Sequence, residues 1–379
     1  MKPGKKQLKL EDLLGNDHVP PGQNDDPSQQ ELAAAVQQMI TGAGKEEWDP
    51  ADKEALWRDI AVGLVPRQRS YRYLLMKVAV AAAILLLVAV GGWLFWPRQQ
   101  SALVQFAQRQ APMAPSADTR LIPGQGNAVV VKGKNSSLIY AGNNGGVTIN
   151  EAHTEIPEAA FNTLVVPYGR RSRVQLEDGT IVLLNAGSRL VYPASFKENK
   201  REVYLEGEAF FDIAPNAHSP FFVYASGIET EVLGTSFNIS AYPDDAQQSL
   251  VLATGSVRVR SQDHGLFGKH TQQLQPRDMA VVNRKGGEVQ VSQVNVATYT
   301  AWKDGRLLFY STPLKDILKK LTRYYNVQLE LAVTQPGLKT CSGDLDLEEN
   351  LDNVLEVICA TNSLRYERLG QRIVLKEKE

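Results

Sequence analysis

The segment KVAVAAAILLLVAVGGWLFWPR, beginning at Lys77, limits what this chain can become more than any other stretch. From Val78 to Trp96 no residue is charged or strongly polar. As a helix this run would reach roughly 28 Å, close to the ~30 Å thickness of a bilayer's hydrocarbon. It exceeds the apolar core of a signal peptide, about 7–15 residues, and it follows seventy-odd residues rich in charge. No small-x-small cleavage site follows. The run ends in Trp93, Phe95, Trp96 and Pro97, and tryptophan suits the headgroup boundary. A buried soluble helix would carry polar residues at helical spacing, and this one carries none. These features predict one transmembrane helix over residues 74–96. Arg67, Arg69, Arg72 and Lys77 crowd its N-terminal flank, against Arg98 and then only Arg109 and Arg120 beyond it. Basic flanks stay cytoplasmic, so the N-terminus is expected inside and the C-terminus, in a bacterium, in the periplasm. Ala79 and Ala83 form a small-xxx-small pair, read as facing lipid rather than a second helix.

The chain has 379 residues, enough for two or three domains beside the anchor. Its net charge of −1 does not point to nucleic acid as a direct partner. Residues 1–28 are expected to be disordered, being charged, rich in Pro and Gly, and poor in apolar residues. Two short helices are predicted after them, Gln30–Ile40 and Asp49–Val65, the second opening on Asp49 and Pro50 as N-cap and first helical residue. Leu32, Val36, Met39 and Ile40 stripe the first, and a weaker stripe surrounds Trp57 in the second. Helices this short bury little alone, so residues 1–72 read as a cytosolic tail needing a partner.

Residues 97–125, rich in Gln, Ala, Pro and Ser, read as a linker. From there to about residue 295 the pattern has period two with frequent turns, predicting an all-β domain over 126–295. SRVQLEDGTIVLLN reads as a hairpin around Asp178 and Gly179. After Trp302 strands alternate with two helical stripes: Leu314, Ile317, Leu318 and Leu321, then Leu351, Val354, Leu355 and Ile358. A small α+β domain of order βαββαββ is expected over 302–379. The whole reads as a multidomain membrane protein.

The residues offer little chemistry. None of the five histidines has metal-ligand spacing or a nucleophile motif beside it, and no phosphate-binding glycine loop opens a helix, so no enzyme and no cofactor is expected. In GEAFFDIA, Ala209, Phe211 and Ile213 should face a core, with Gly207 at a bulge or close contact. Glu206, Glu208 and Asp212 should face water. Cys341 and Cys359 either bridge in an oxidising compartment or are two small core residues, the second reading being favoured.

VPYGRRSRVQLEDGTIVLLNAGSRLVYPASF, then REVYLEGEAFFDIA, SPFFV, VLGTSFNISAY and LATGSVRV, resemble the FecR-like anti-sigma regulators in order and spacing. AWKDGRLLFYSTPLKDILKKLTRYYNVQLEL with CSGDLDLEENLDNVLEVI resembles the C-terminal domain of Bacteroidetes-type members. The resemblance implies an inner-membrane signal transducer whose β domain is a twisted solenoid or sandwich-like. Its periplasmic part would sense the signalling domain of a TonB-dependent outer-membrane transporter, docked on the α+β domain by strand addition. Its tail would hold an extracytoplasmic-function (ECF) sigma factor, released after cleavage by membrane proteases. Leu32, Val36, Met39, Ile40, Trp48 and Trp57 are the expected sigma-binding residues. Some such proteins break the bond between Gly234 and Thr235 themselves, the threonine hydroxyl attacking the Gly234 carbonyl. An ordinary strand with a glycine bend is the favoured reading of VLGTSFN. The rival readings are an anchored periplasmic module binding a glycan or envelope component, and a self-cleaving or hydrolytic envelope enzyme.

Overall fold

A computed structural model describes residues 71–94, 101–110 and 116–378, except 141–145, 157–158, 198, 262–270, 285–286, 334–339 and 371, with the single positions Ala34, Ala51 and Ala55. Residues 1–97 and 98–379 form separate compact units. In the first, helix α1 (Tyr71–Leu94) runs through the apolar segment. Its described side chains, 76–89, are all exposed, Leu85 and Leu87 among the most. Among the described residues no helix is long and apolar enough to cross a membrane. Those side chains stop short of Trp93 and Trp96, where the sequence places the boundary.

The second unit corrects the expected linker over 97–125. Helix α2 (Ala102–Arg109) forms there, with Ser101 Oγ accepting from Leu103 N at 3.2 Å as an N-cap. Strand β1 (Thr119–Pro123) follows and pairs with two other strands. Polar Gln and Ser hide the amphipathic spacing of Leu103, Val104 and Ala107, which are all buried.

In chain order come β2 (Val129–Val131), β3 (Asn135–Tyr140), β4 (Gly146–Ile149), β5 (Ala152–Glu155), β6 (Phe161–Val166), β7 (Arg171–Gln175), β8 (Ile181–Leu184) and β9 (Ser188–Pro193). Then follow β10 (Arg201–Asp212), β11 (Phe221–Ala225), β12 (Ile228–Val232), β13 (Ser236–Ala241), β14 (Gln247–Thr254), β15 (Val257–Ser261), β16 (Thr271–Leu274), β17 (Asp278–Asn283) and β18 (Gln290–Gln293). They build two sheets. One has the order β2-β1-β6-β9-β10-β11-β12-β15-β16. The other has the order β5-β4-β3-β7-β8-β10-β13-β14-β17-β18. Short groups of strands go alternately to one sheet and the other, so the chain winds solenoid-fashion around a sandwich core.

Both sheets share β10. Its first half pairs with β9 and β11, and from Gly207 onward it pairs with β8 and β13. The switch needs glycine: Gly207 has φ +97°, and a Cβ there would meet Ser188 Oγ at 2.5 Å and Ser188 Cα at 2.6 Å. Val203, Leu205, Ala209, Phe211 and Ile213 all enter the core, as period two requires. Phe211 stacks on Phe237 with centroids 5.2 Å apart. The β7–β8 hairpin turns as expected, but only Gly179 takes positive φ, at +85°. Asp178 instead accepts from Thr180 N at 3.0 Å and stiffens a three-residue loop.

Beyond β18, helix α3 (Ala297–Thr300) and a 3₁₀ turn (Ala301–Asp304) lead to the α+β domain. It contains β19 (Arg306–Pro313), α4 (Leu314–Tyr325), β20 (Gln328–Ala332), β21 (Thr340–Asp346), α5 (Leu351–Asn362), β22 (Leu364–Leu369) and β23 (Arg372–Glu377). This is the expected βαββαββ order. The strands divide between a β19–β21 pair and a β20-β23-β22 sheet. Leu314, Ile317, Leu318 and Leu321 of α4 join Val354, Leu355 and Ile358 of α5 in one apolar cluster. Asn326 and Ser363, at φ +55°, end the two helices in the left-handed conformation.

Candidate functional site

The expected sigma-binding residues Leu32, Val36, Met39, Ile40, Trp48 and Trp57 lie outside the described residues. The structure does place the other candidates. Gly234 and Thr235 form the passage from β12 to β13. Gly234 does not take positive φ. It is glycine because a Cβ would meet Pro215 Cα at 2.8 Å. Gly255, in the β14–β15 turn, presses from another side: a Cβ there would lie 3.0 Å from both Gly234 O and Thr235 Oγ1. Thr235 is 4% exposed, and its hydroxyl donates to Ser256 O at 3.1 Å. Its own carbonyl accepts from Ile213 N at 3.1 Å. A carbonyl partner orients the hydroxyl but cannot remove its proton, which attack on Gly234 would require.

Cys341 and Cys359 are free thiols in the structure, not a bridge. Cys341 Sγ donates to Asn362 Oδ1 at 3.0 Å, while Cys359 packs in the α+β core, where burial raises its pKa. Glu206 and Glu208 do not simply face water. Glu206 lies 2.7 Å from Arg189, and Glu208 accepts from Asn185 at 2.8 Å and Asn238 at 3.0 Å. Asp212 is exposed and accepts from Ser236. Among the described residues no group of His, Cys, Asp or Glu is arranged to hold a metal ion.

The densest polar constellation is one that sequence reading missed, the seam between sandwich and α+β domain. Arg323, at the end of α4, is 6% exposed and reaches Asp244 at 2.8 Å and Asp245 at 2.7 Å in the β13–β14 loop. Its guanidinium lies 3.6 Å from the centroid of the Tyr242 ring. Lys319, one turn earlier, adds contacts of 3.0 and 2.5 Å to the same carboxylates. Burial raises the Asp244 pKa, but hydrogen bonds from Lys319 and Arg323 outweigh it and hold the group below its ordinary 3.8. A second contact centres on Glu348, which accepts from Tyr324 at 3.0 Å and Arg171 at 2.8 Å and is also held low, first by the tyrosine. Between them Trp302 Nε1 donates to Asn238 Oδ1 at 3.0 Å, in a buried position. The sequence clue to this seam is faint: an arginine just past the apolar stripe of α4, and an Asp-Asp pair after SFNISAYP.

The seam joins two domains through hydrogen bonds and ion pairs, the composition of an interface that holds but can part. The unit from residue 98 onward is therefore two modules coupled by a charged clasp, with the Gly234–Thr235 passage inside the first.

Comparison with known proteins follows the same division. Residues 162–258 match the model of the FecR protein family, and residues 306–375 match the model of the FecR C-terminal domain. Two crystal structures of a candidate anti-sigma factor from Parabacteroides distasonis, at 2.50 and 1.65 Å resolution, are similar at 32% identity and TM-score 0.52. They cover 58% and 57% of this chain, and 100% and 99% of their own. No curated protein matches the chain. With the sandwich, the C-terminal βαββαββ domain and a fully spanned relative in agreement, the chain belongs to the FecR-like anti-sigma factors.

Proposed function

We propose that this anti-sigma factor is a single-pass inner-membrane regulator, anchored by residues 74–96 with its N-terminus in the cytoplasm. Residues 1–72 hold an ECF sigma factor. The unit from residue 98 onward receives a signal in the periplasm from the signalling domain of a TonB-dependent outer-membrane transporter, and membrane proteases complete the release. The observation that carries this reading is the order of parts: an apolar run of bilayer length stands N-terminal to both FecR-family segments. The charge asymmetry around that run supports the orientation. The family is regulatory, which accords with reading the chain as no enzyme.

The test is capture of sigma factors by the full chain in detergent, against each ECF sigma factor of the source organism. Capture of one, lost with Leu32→Asp and Val36→Asp together, is the expected result. No capture from well-folded full chain would move the function to an anchored binding module. One observation favours that second reading: an open groove of about 640 Å³ where Tyr168 and Tyr242 meet Asp244 and Asn326. It requires that deleting residues 1–72 leave function intact.

A further inference from the structure

We propose that α2 is a releasable strap, which in its docked state shields residues 101–110 from proteolysis. The inference rests on the reading above only in placing residues 74–96 in a membrane. Seven residues, 95–101, separate the end of α1 from the start of α2. An isolated helix needs ~12–15 residues to be even marginal in water, and α2 has 8. Its helical state therefore depends on what it lies against.

That contact is separate from the sandwich core. Leu103, Val104 and Ala107 pack on Val191, Tyr204 and Tyr224, which point outward from β9, β10 and β11. Phe106 meets Phe161 at 5.2 Å. Both ends are pinned by polar groups of the same sheet. Ser101 Oγ donates to Glu202 Oε1 at 2.6 Å, and Gln110 Nε2 donates to Thr163 Oγ1 at 2.9 Å. Arg189, held by Glu206, donates to Gln110 Oε1 at 3.1 Å and to the Ala107 carbonyl at 3.4 Å. That carbonyl lies in the last turn, where helices lack internal partners and favour a cation.

Releasing α2 leaves the sandwich core intact, so it is a local opening and costs less than global unfolding. The freed residues lose their helix and become an extended chain that a protease can seat. The peptide bond then breaks by hydrolysis, water supplying OH to the new carboxyl group and H to the new amine. Any partner or pull that disturbs the outer face of β9–β11 would thus expose residues 101–110.

The full chain in phospholipid vesicles, briefly exposed to proteinase K and mapped by mass spectrometry, tests this. Arg189→Ala lies outside α2 and leaves the cut sequence unchanged. It should raise cleavage within residues 101–110 at least tenfold while cleavage of 116–293 keeps its rate. Ser101→Ala with Gln110→Ala, which changes only the helix ends, should raise it severalfold and decides the matter should Arg189→Ala unfold the sheet. Unchanged cleavage at 101–110, or equal loss of protection across strap and sandwich in the end-pinning pair, would overturn the proposal. No sigma factor enters the assay, so failure of the sigma reading and failure of the strap remain distinguishable.

Discussion

Replacing Arg323 by alanine should loosen the α+β domain from the sandwich without unfolding either. Its guanidinium makes three hydrogen bonds to Asp244 and Asp245, at 2.7, 2.8 and 3.2 Å, and covers the Tyr242 ring. Charged hydrogen bonds contribute about 1.5–3 kcal/mol each and a cation over a ring about 0.5–2 kcal/mol. Breaking a buried pair by removing one partner costs about 3–5 kcal/mol. This pair stops short of that, because the Asp244 side chain is 51% exposed and Lys319 still faces both carboxylates. Water and Lys319 compensate in part, leaving an expected loss of about 2–3 kcal/mol. Lys319→Ala, at a 37% exposed side chain, should lose no more than about 1 kcal/mol. Calorimetry of residues 98–379 reads both, and for a chain of this size 1 kcal/mol is about 2–4 °C. The wild type should melt in one transition, and Arg323→Ala should split off an earlier one belonging to the α+β domain. Should Arg323→Ala shift melting no more than Lys319→Ala does, the clasp is only a solvated surface and the reasoning fails.

Gly207→Ala must adopt φ +97° and place its Cβ against Ser188, so soluble yield should collapse or stability fall by more than about 2 kcal/mol; an unshifted melting temperature would show that β10 does not need its bend. Tyr140 and Tyr192 share a 2.7 Å hydrogen bond in the core, where burial pushes the Tyr140 pKa up to about 12 and that of Tyr192 well above 10. Their folded values exceed the unfolded one, so their contribution is whole below pH 10 and is lost above it, for Tyr140 as pH rises through about 12. Urea titrations at pH 9 and 11 should show the fall, and Tyr140→Phe with Tyr192→Phe should make it smaller, Tyr204 and Tyr242 among others keeping their share. Purified 98–379 should run as one band on a denaturing gel, and so should Thr235→Ala. Two fragments that vanish with Thr235→Ala would instead establish scission after Gly234.

Where one side chain decides the structure by its own period, the sequence is readable. The stripes of α4 and α5 stand at i, i+3, i+4 and i+7, and their members are buried, except Leu351, which is half-buried at the start of α5. The run from Val203 to Ile213 is equally plain. Helix α2 is hard to read from sequence because eight residues hold barely two turns of pattern, and because what makes them helical is a sheet surface assembled from β9, β10 and β11. The clasp was illegible for a similar reason. Arg323 and Asp245 are 78 positions apart, and nothing local distinguishes either from a solvated charge. Parity alone says that Glu206 and Glu208 point outward; they keep part of their contact with water, but their polar partners come from the neighbourhood of α2 on one side and of the seam on the other.

That last pair shows how the two attachments are connected. Outward positions on the first half of β10 serve the strap: Glu202 accepts from its N-cap Ser101, Tyr204 lies beneath it, and Glu206 holds Arg189. Past the bend at Gly207, Glu208 holds Asn238, whose carboxamide oxygen receives Trp302 from the stretch leading to the α+β domain. A polar chain thus runs from Gln110 through Arg189 and Glu206, around one glycine, to Glu208, Asn238 and Trp302. Spatial continuity alone does not establish coupling, and energetic coupling must be measured. A double-mutant cycle supplies the measurement, with Gln110→Ala and Trp302→Phe, each truncating one end of the chain. Independent sites add within about 0.3–0.5 kcal/mol, whereas sites in one network depart by 0.5 kcal/mol or more. A departure of that size, read as protection of residues 101–110 from proteolysis, is expected here, because Glu206 and Glu208 belong to one continuous strand whose bend leaves no slack. Strict additivity would mean that Gly207 insulates the two halves, so that a change at the α+β domain does not reach the strap through β10.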